Sequence, residues 1–220
     1  MRAMILAAGR GERLMPLTEQ IPKPLISIHG ETLLQRNISN LILAGVEEII
    51  INTSWLGSMI EEYINVMNDP GPKIICVHEG DEPLGTGGGI LNALSYFKNE
   101  PFWVINADIV TNFSFTINPL VKDFVGHLIL VKNPDHNLSG DFGLEGNLVL
   151  NRSSHMYTFS GISLLKPEIF RSHNDQRFSL AKLLRRYVQK DAISGELYSG
   201  KWLDVGTMER LNKAKELIQG

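Results

Sequence analysis

Residues 1–25 read MRAMILAAGRGERLMPLTEQIPKPL, and this stretch decides the fold. Met4-Ile5-Leu6-Ala7-Ala8 is a short apolar run without charge, the pattern of a strand buried on both faces. It runs directly into Gly9-Arg10-Gly11-Glu12-Arg13. Two glycines permit a sharp turn and leave backbone N–H groups uncovered, so the loop can wrap an anion. Arg10 and Arg13 add fixed positive charge. Lys23 stands between Pro22 and Pro24, which stiffen the segment presenting its ammonium. Together these features describe a polyphosphate site. It is not a P-loop, which needs Gly-x-x-x-x-Gly-Lys-Ser/Thr. Nor is it a dinucleotide loop, since the third residue after Gly11 is Leu14 and not glycine.

Further along, helix and strand patterns alternate. Thr32 with Gln35 predicts a capping box, opening a helix with Leu34, Ile38, Leu41 and Ile42 on one face and Gly45 at its end. Residues 47–51 predict a second strand. Ser58 is expected to cap a second helix with Ile60, Tyr63, Ile64 and Met67 inward, broken by Asn68-Asp69-Pro70-Gly71-Pro72. A third strand is expected over 74–77. Gly85 and Gly87 to Gly89 are expected to lead into a helix carrying Ile90, Leu91, Leu94 and Phe97, and a fourth strand covers 102–105. This alternation predicts an α/β fold of three layers, Rossmann-like, with a mostly parallel central sheet. Ligands of such sheets sit beyond the carboxyl ends of the strands. Residues 9–13, 79–89 and 106–108 all fall there, which predicts one shared site.

The second half is less regular. A strand is expected over 127–131, a polar loop over 132–141, a hairpin turning at Gly146-Asn147, and a strand over 157–165 containing Gly161. Residues 179–190 read as a helix. Residues 196–198 and 201–205 are expected to pair across Gly200, and Thr207 to cap a last helix with Met208, Leu211, Ala214 and Leu217 on one face. No repeat or long linker interrupts the chain, so residues 1–220 read as a single domain.

Composition narrows the class. A 43% hydrophobic and 20% charged chain is ordinary for a soluble globular protein. Its net charge of −3, without a basic block, argues against nucleic acid as a partner. The single Cys76 leaves no internal disulfide framework. No leader is visible and no apolar run approaches spanning length, so no membrane partner and a cytoplasmic location are expected. The six histidines lack paired-ligand spacing and read as scattered surface or packing residues, which argues against zinc. Isolated carboxylates at strand ends suit a hard cation, and Asp108 and Asp204 are the two that fit. A triphosphate brings Mg²⁺, which takes one or two carboxylates plus phosphate oxygens.

The opening stretch resembles the signature of the sugar-1-phosphate nucleotidyltransferases, Leu-Ala-Ala-Gly-x-Gly-x-Arg-Leu/Met-x-Pro-Leu-Thr followed by Pro-Lys-Pro-Leu. It matches over residues 6–18 and 22–25. The resemblance implies that Leu6, Ala7, Ala8, Gly9, Gly11 and Glu12 hold the nucleotide, with Arg13 and Lys23 on its phosphates. It implies Asp108 and Asp204 as ligands of Mg²⁺, and Arg13, Lys23 and Asp108 as the catalytic set. Gly85 and Thr86, in Leu84-Gly85-Thr86-Gly87, are similar to the uridine-reading turn of the uridylyltransferase branch. Asn106 stands where many members contact ribose, although Ala107 replaces the glycine many carry before the metal aspartate. Asp141, Gly143 and Gly161 match sugar-side segments. The first half, to about residue 110, would then bind nucleotide, and the smaller β-rich remainder would be a lid over the sugar.

The likeness runs through nearly the whole chain and is strongest to the short branch acting in peptidoglycan recycling. It implies UTP and a sugar 1-phosphate, N-acetylmuramate 1-phosphate, as substrates, and UDP-sugar and pyrophosphate as products. The Glu-Lys-Pro motif of thymidylyltransferases is absent. Two alternatives stand beside this: a uridylyl- or guanylyltransferase for another hexose 1-phosphate, and an inactive relative that binds nucleotide sugars as a regulatory subunit. Oligomeric state is not read from the sequence.

Overall fold

The computed structural model describes residues 1–67, 71–115, 123–171, 173 and 175–219. The chain opens with β1 (Arg2–Leu6), whose Ala3 and Ile5 face one side of the sheet and Met4 the other, all fully buried. That two-sided burial is why the strand carries no alternating polar residues. The signature loop passes through a short 3-10 turn, α1 (Leu17–Gln20) and a second 3-10 turn at Lys23–Leu25, then the small ribbon β2 (Ser27–Ile28) and β3 (Glu31–Thr32).

Helix α2 (Leu33–Leu43) starts as expected: the Thr32 hydroxyl accepts the Gln35 N–H at 3.0 Å. Only half of the capping box forms, because the Gln35 amide turns to Ser39 at 3.3 Å. β4 (Glu48–Thr53) follows. Helix α3 (Gly57–Val66) begins after Leu56, which adopts a left-handed conformation with φ 50°, so Ser58 lies inside the helix and does not cap it. Of the expected breaker, residues 68–70 lie outside the described residues. After β5 (Lys73–His78), the glycine run does not precede a helix; it forms α4 (Gly85–Asn92) itself. Side chains there would collide with the Phe178 ring, which a Cβ on Gly87 would approach to 2.2 Å. Close packing thus accounts for glycine in helical positions where it is intrinsically costly.

β6 (Phe102–Asn106) and β7 (Ile109–Thr111) end the first half. The second half adds β8 (Gly126–Val131), the hairpin β9 (Phe142–Glu145) and β10 (Leu148–Leu150), the long β11 (Met156–Leu165), α5 (Leu180–Val188), β12 (Ile193–Tyr198), β13 (Trp202–Asp204) and α6 (Met208–Gln219). The main sheet has the order β5-β4-β1-β6-β11-β8-β12-β10-β9. Its first four strands are parallel; β11 is antiparallel to both neighbours, and β12 runs parallel to β8.

One expected pairing does not form. The residues of β12 and β13 do not pair across Gly200; β12 joins the main sheet, and β13 pairs antiparallel with β7, Asp204 opposite Ile109. β12 buries Ile193 and Ser194 in the sheet, and α6 packs over a third cluster of Leu14, Ile28, Val205, Leu211 and Ala214. Met208, expected on that face, is instead exposed. The two larger cores lie on opposite faces of the sheet, α2 and α3 over one and α4 and α5 over the other.

Candidate active site

The carboxyl ends of β1, β4, β5 and β6 open into a cleft of about 230 Å³. Leu6, Ala7, Ala8, Gly9, Lys23, Gly85, Thr86, Asn106 and Asp108 line it, as the sequence predicts, with Asn52, Glu79, Pro83, Pro24 and Ala107. A second, more polar cleft of about 690 Å³ adjoins it, lined by Gly9, Arg10, Gly11, Glu12, Arg13 and Lys23 on one side and by Glu82, Pro83, Arg177 and Gly206 on others. Lys23 and Gly9 border both. A nucleoside in the first and phosphates in the second would therefore share one continuous surface.

Local bonds hold the signature loop. Gly11, at φ 68°, takes a conformation that L side chains rarely adopt, and its carbonyl accepts from the buried Thr18 hydroxyl at 3.0 Å. The Trp55 indole donates to the Thr18 carbonyl at 3.0 Å, and the Arg10 guanidinium lies 5.1 Å over that indole. Lys23 is presented from its 3-10 turn and forms an ion pair with Asp108.

A chain of amides and a carboxylate shapes the floor of the first cleft. The Ala7 N–H donates to Asn52 Oδ1 at 2.9 Å, the Asn52 amide donates to Glu79 Oε1 at 2.6 Å, and the Leu84 N–H donates to Glu79 Oε2 at 2.8 Å. Asn52 is not among the sequence-derived site residues, and Glu79 enters there only as the start of the 79–89 segment. The signal was their place as polar residues at or just past the ends of the second and third strands. Thr86, in the turn above them, accepts the Leu180 N–H at 2.9 Å, so its hydroxyl proton stays free to donate. The same turn is fastened by the Phe178 carbonyl, which accepts from Gly87 N–H at 3.0 Å.

The two aspartates reach the site from distant parts of the chain. Asp108 follows β6; Asp204 ends β13, and the Val205 N–H donates to the Asp108 carbonyl at 2.9 Å. Ala107 needs no glycine conformation: it is buried and its N–H bonds the Leu6 carbonyl at 3.0 Å. Asp204 Oδ2 accepts from Arg210 Nη1 at 2.6 Å, while its Oδ1 is buried without a hydrogen-bond partner. Burial pushes the Asp204 carboxyl above the usual aspartate range; Arg210 and His136 oppose that shift, and the Asp108 charge adds to it. His136 Nε2 lies 3.2 Å from Asp204 Oδ1 and accepts from Arg210 Nη1 at 2.7 Å. His136 is exposed, as the sequence reading had it, and its ring also reaches Asp204 and Arg210. No sequence spacing marked it, because loop 132–141 brings it to Asp204 only in the folded chain.

Of the residues expected on the sugar side, Gly161 lies against Asn106, which lines the first cleft. It sits at a bulge in β11 with φ 79°, and a Cβ there would come within 2.6 Å of the Asn106 amide. Asp141 ties its loop down, its Oδ2 accepting from Phe159 N–H at 2.9 Å and the Asn137 amide at 3.1 Å. Gly143 lies on β9, where a Cβ would meet Ser153 at 2.3 Å. Among the described residues no cluster of three or more His, Cys, Asp or Glu side chains could hold a metal ion by itself. Nor is any helix among them long and apolar enough to cross a membrane.

Residues 2–131 match the sequence profile of the family described as nucleotidyl transferase. The chain is 40% identical to the N-acetylmuramate alpha-1-phosphate uridylyltransferase of Neisseria meningitidis, over 99% of this chain and 98% of that one. It is 28% identical to the protein of the same name from Caulobacter vibrioides, over 93% and 91%. Among solved structures it is similar to HddC from Yersinia pseudotuberculosis complexed with GMP-PN, with a TM-score of 0.81 and 26% identity over 99% of both chains.

Proposed function

This chain belongs to the nucleotidyl transferase family, and we propose that it transfers the uridylyl group of UTP to N-acetylmuramate 1-phosphate, giving the UDP-sugar and pyrophosphate. The observation that carries the acceptor is the 40% identity, over nearly the full length of both chains, to a relative named for that reaction. The transfer itself is supported by the site, where Arg13, Lys23, Asp108 and Asp204 stand beside one cleft system.

In this reading, residues 1–110 hold the nucleotide and 111–220 the sugar. The base lies by Gly85 and Thr86, the ribose by Asn106, and the triphosphate along residues 9–13. An oxygen of the acceptor phosphate attacks the α-phosphorus, the bond to the β-phosphate oxygen breaks, and pyrophosphate leaves. The second phosphate pKa lies near ~6, so the attacking oxygen is largely ionised at neutral pH and no protein base is needed. What the protein must do is offset the repulsion of two polyanions and align them. Lys23, Arg13 and the loop N–H groups supply that positive field.

The donor set also fits a divalent cation. Asp204 Oδ1 is a buried, unbonded carboxylate oxygen, and Asp108 raises its cost of ionisation, both of which a hard cation between them would relieve. Asp108 and Asp204 would hold Mg²⁺, which would supply positive charge against the phosphates. Asp141, Gly143 and Gly161 are read as sugar-side residues, Gly161 by its contact with Asn106. A cytoplasmic setting, where UTP is available, belongs to the same reading.

The test is a panel of UTP and GTP against the 1-phosphates of N-acetylmuramate, N-acetylglucosamine and glucose, read by pyrophosphate release. The highest kcat/KM is expected for UTP with N-acetylmuramate 1-phosphate. A better rate with GTP or another hexose would transfer the assignment to another branch of the family, and no release with any pair would favour a binding subunit.

A further inference from the structure

Arg210 is the one charged side chain among the described residues that is buried, at 6% exposure. It rises from the first turn of α6, and nothing about packing calls for a guanidinium there. A well-packed apolar side chain of similar volume serves a core better than a buried cation does. The guanidinium is also incompletely satisfied, since its Nε has no hydrogen-bond partner. Its Nη1, by contrast, is fully engaged, donating to Asp204 Oδ2 at 2.6 Å and to His136 Nε2 at 2.7 Å. Nη2 is wedged against Gly206, where a Cβ would lie 2.0 Å from it. One oxygen of Asp204 is therefore clamped, and the other is buried without a hydrogen bond, with His136 Nε2 3.2 Å away.

We propose that Arg210 is the positioning residue for Asp204, fixing Oδ2 so that Oδ1 is aimed at the divalent cation. The assignment rests on the cation reading of Asp108 and Asp204 given above. Holding a ligand carboxylate in place through a hydrogen-bonded neighbour is a general means of tuning a metal site. Gly206 completes the device, because only a residue without a side chain leaves room for the guanidinium between α6 and the signature loop, where Arg13 Nη2 also lies within 3.1 Å of the same point.

The sign of the effect separates positioning from simple charge. A cation close to the metal repels it, so loss of the Arg210 charge alone would tighten divalent binding. Loss of positioning would weaken it. Mn²⁺ titration of the free full-length protein, followed by the electron paramagnetic resonance of unbound Mn²⁺, reads this without turnover. Arg210→Met is expected to weaken Mn²⁺ binding about 10-fold or more, with Arg210→Lys intermediate. In Arg210→Met, saturating Mn²⁺ should restore much of kcat. Unchanged or tighter Mn²⁺ binding in folded Arg210→Met would overturn the assignment. Where that variant fails to fold, Gly206→Ala decides, since its methyl displaces chiefly the Arg210 guanidinium, with a smaller shift of Arg13 Nη2, and leaves the charge present; wild-type Mn²⁺ affinity there would overturn the assignment equally. A wild-type protein with no Mn²⁺ site would remove the cation reading and this assignment together. Failure of the sugar panel alone would leave these titrations as they stand.

Discussion

Lys23 and Asp108 are bonded to each other, an ion pair whose side chains are only 15% and 21% exposed. Under the proposed function each is also needed elsewhere, the ammonium on phosphate and the carboxylate on a cation. Substrate binding would then have to separate them.

Lys23→Ala should lower turnover by about 10²–10³, the cost of one preorganised charge-stabilising donor. The same variant should bind Mn²⁺ more tightly in the absence of nucleotide, because no ammonium competes for Asp108. Stopped-flow turnover and Mn²⁺ titration check the two halves separately. Wild-type turnover would take Lys23 out of the phosphate cradle.

Asp108→Asn and Asp204→Asn should each bring turnover close to zero with the fold retained by circular dichroism. Excess chelator should silence the wild type, and Mn²⁺ should restore it in place of Mg²⁺, since the proposed ligands are oxygens. Full activity in chelator would rule out the cation.

Glu79→Ala should damage the nucleotide pocket from beneath. It leaves the Asn52 amide and the Leu84 N–H without their acceptor, a loss of at most about 1–3 kcal/mol for each group left unpaired. Asn52 in turn orients the Ala7 N–H. Urea unfolding should show the stability loss, and KM for UTP should rise more than kcat falls. A stability loss with an unchanged KM would confine the network to the fold.

The parallel half of the sheet, and the gathering of its polar strand-end segments around one cleft, could be read from the sequence because local signals and topology agreed. Met4 to Ala8 announces a doubly buried strand, and a parallel sheet gathers the polar segments at its strand ends on one side. The second half resisted for physical reasons. Trp202-Leu203-Asp204 carries a strand pattern, but pattern does not name a partner, and β7 proved to be that partner across a long separation in sequence. Gly87 to Gly89 read as a loop from propensity alone, whereas the close approach of Gly87 and Gly88 to Phe178 and Gln176, and of Gly89 to Glu79 and Asn52, makes glycine the residue that fits a helix there. His136 and Arg210 meet Asp204 only in three dimensions, so no spacing rule could have paired them.

Stability should fall on mild acidification, in part through His127. Burial lowers its pKa below the ordinary 6.5, with Glu196 opposing, and its Nδ1 lies 2.8 Å from the Ser194 hydroxyl. Below about pH 6.5 the unfolded chain binds the proton more readily than the folded one, so this contribution is present above that value and lost as the pH drops through the folded pKa. The difference in urea midpoint between pH 8 and pH 5 should shrink in His127→Gln. An unchanged difference would clear His127 of the effect.

The ribbon of β7 and β13 has a consequence in time. Every residue lining the first cleft, Asp108 included, lies in the first 108 residues and is made early in synthesis, while Asp204 arrives only when β13 has emerged. A nascent chain could thus shape a nucleotide pocket yet lack the second carboxylate, and closing so long a loop costs entropy that the finished α6 packing must repay. Under the proposed function, catalysis would wait on β13 while the nucleotide pocket would not.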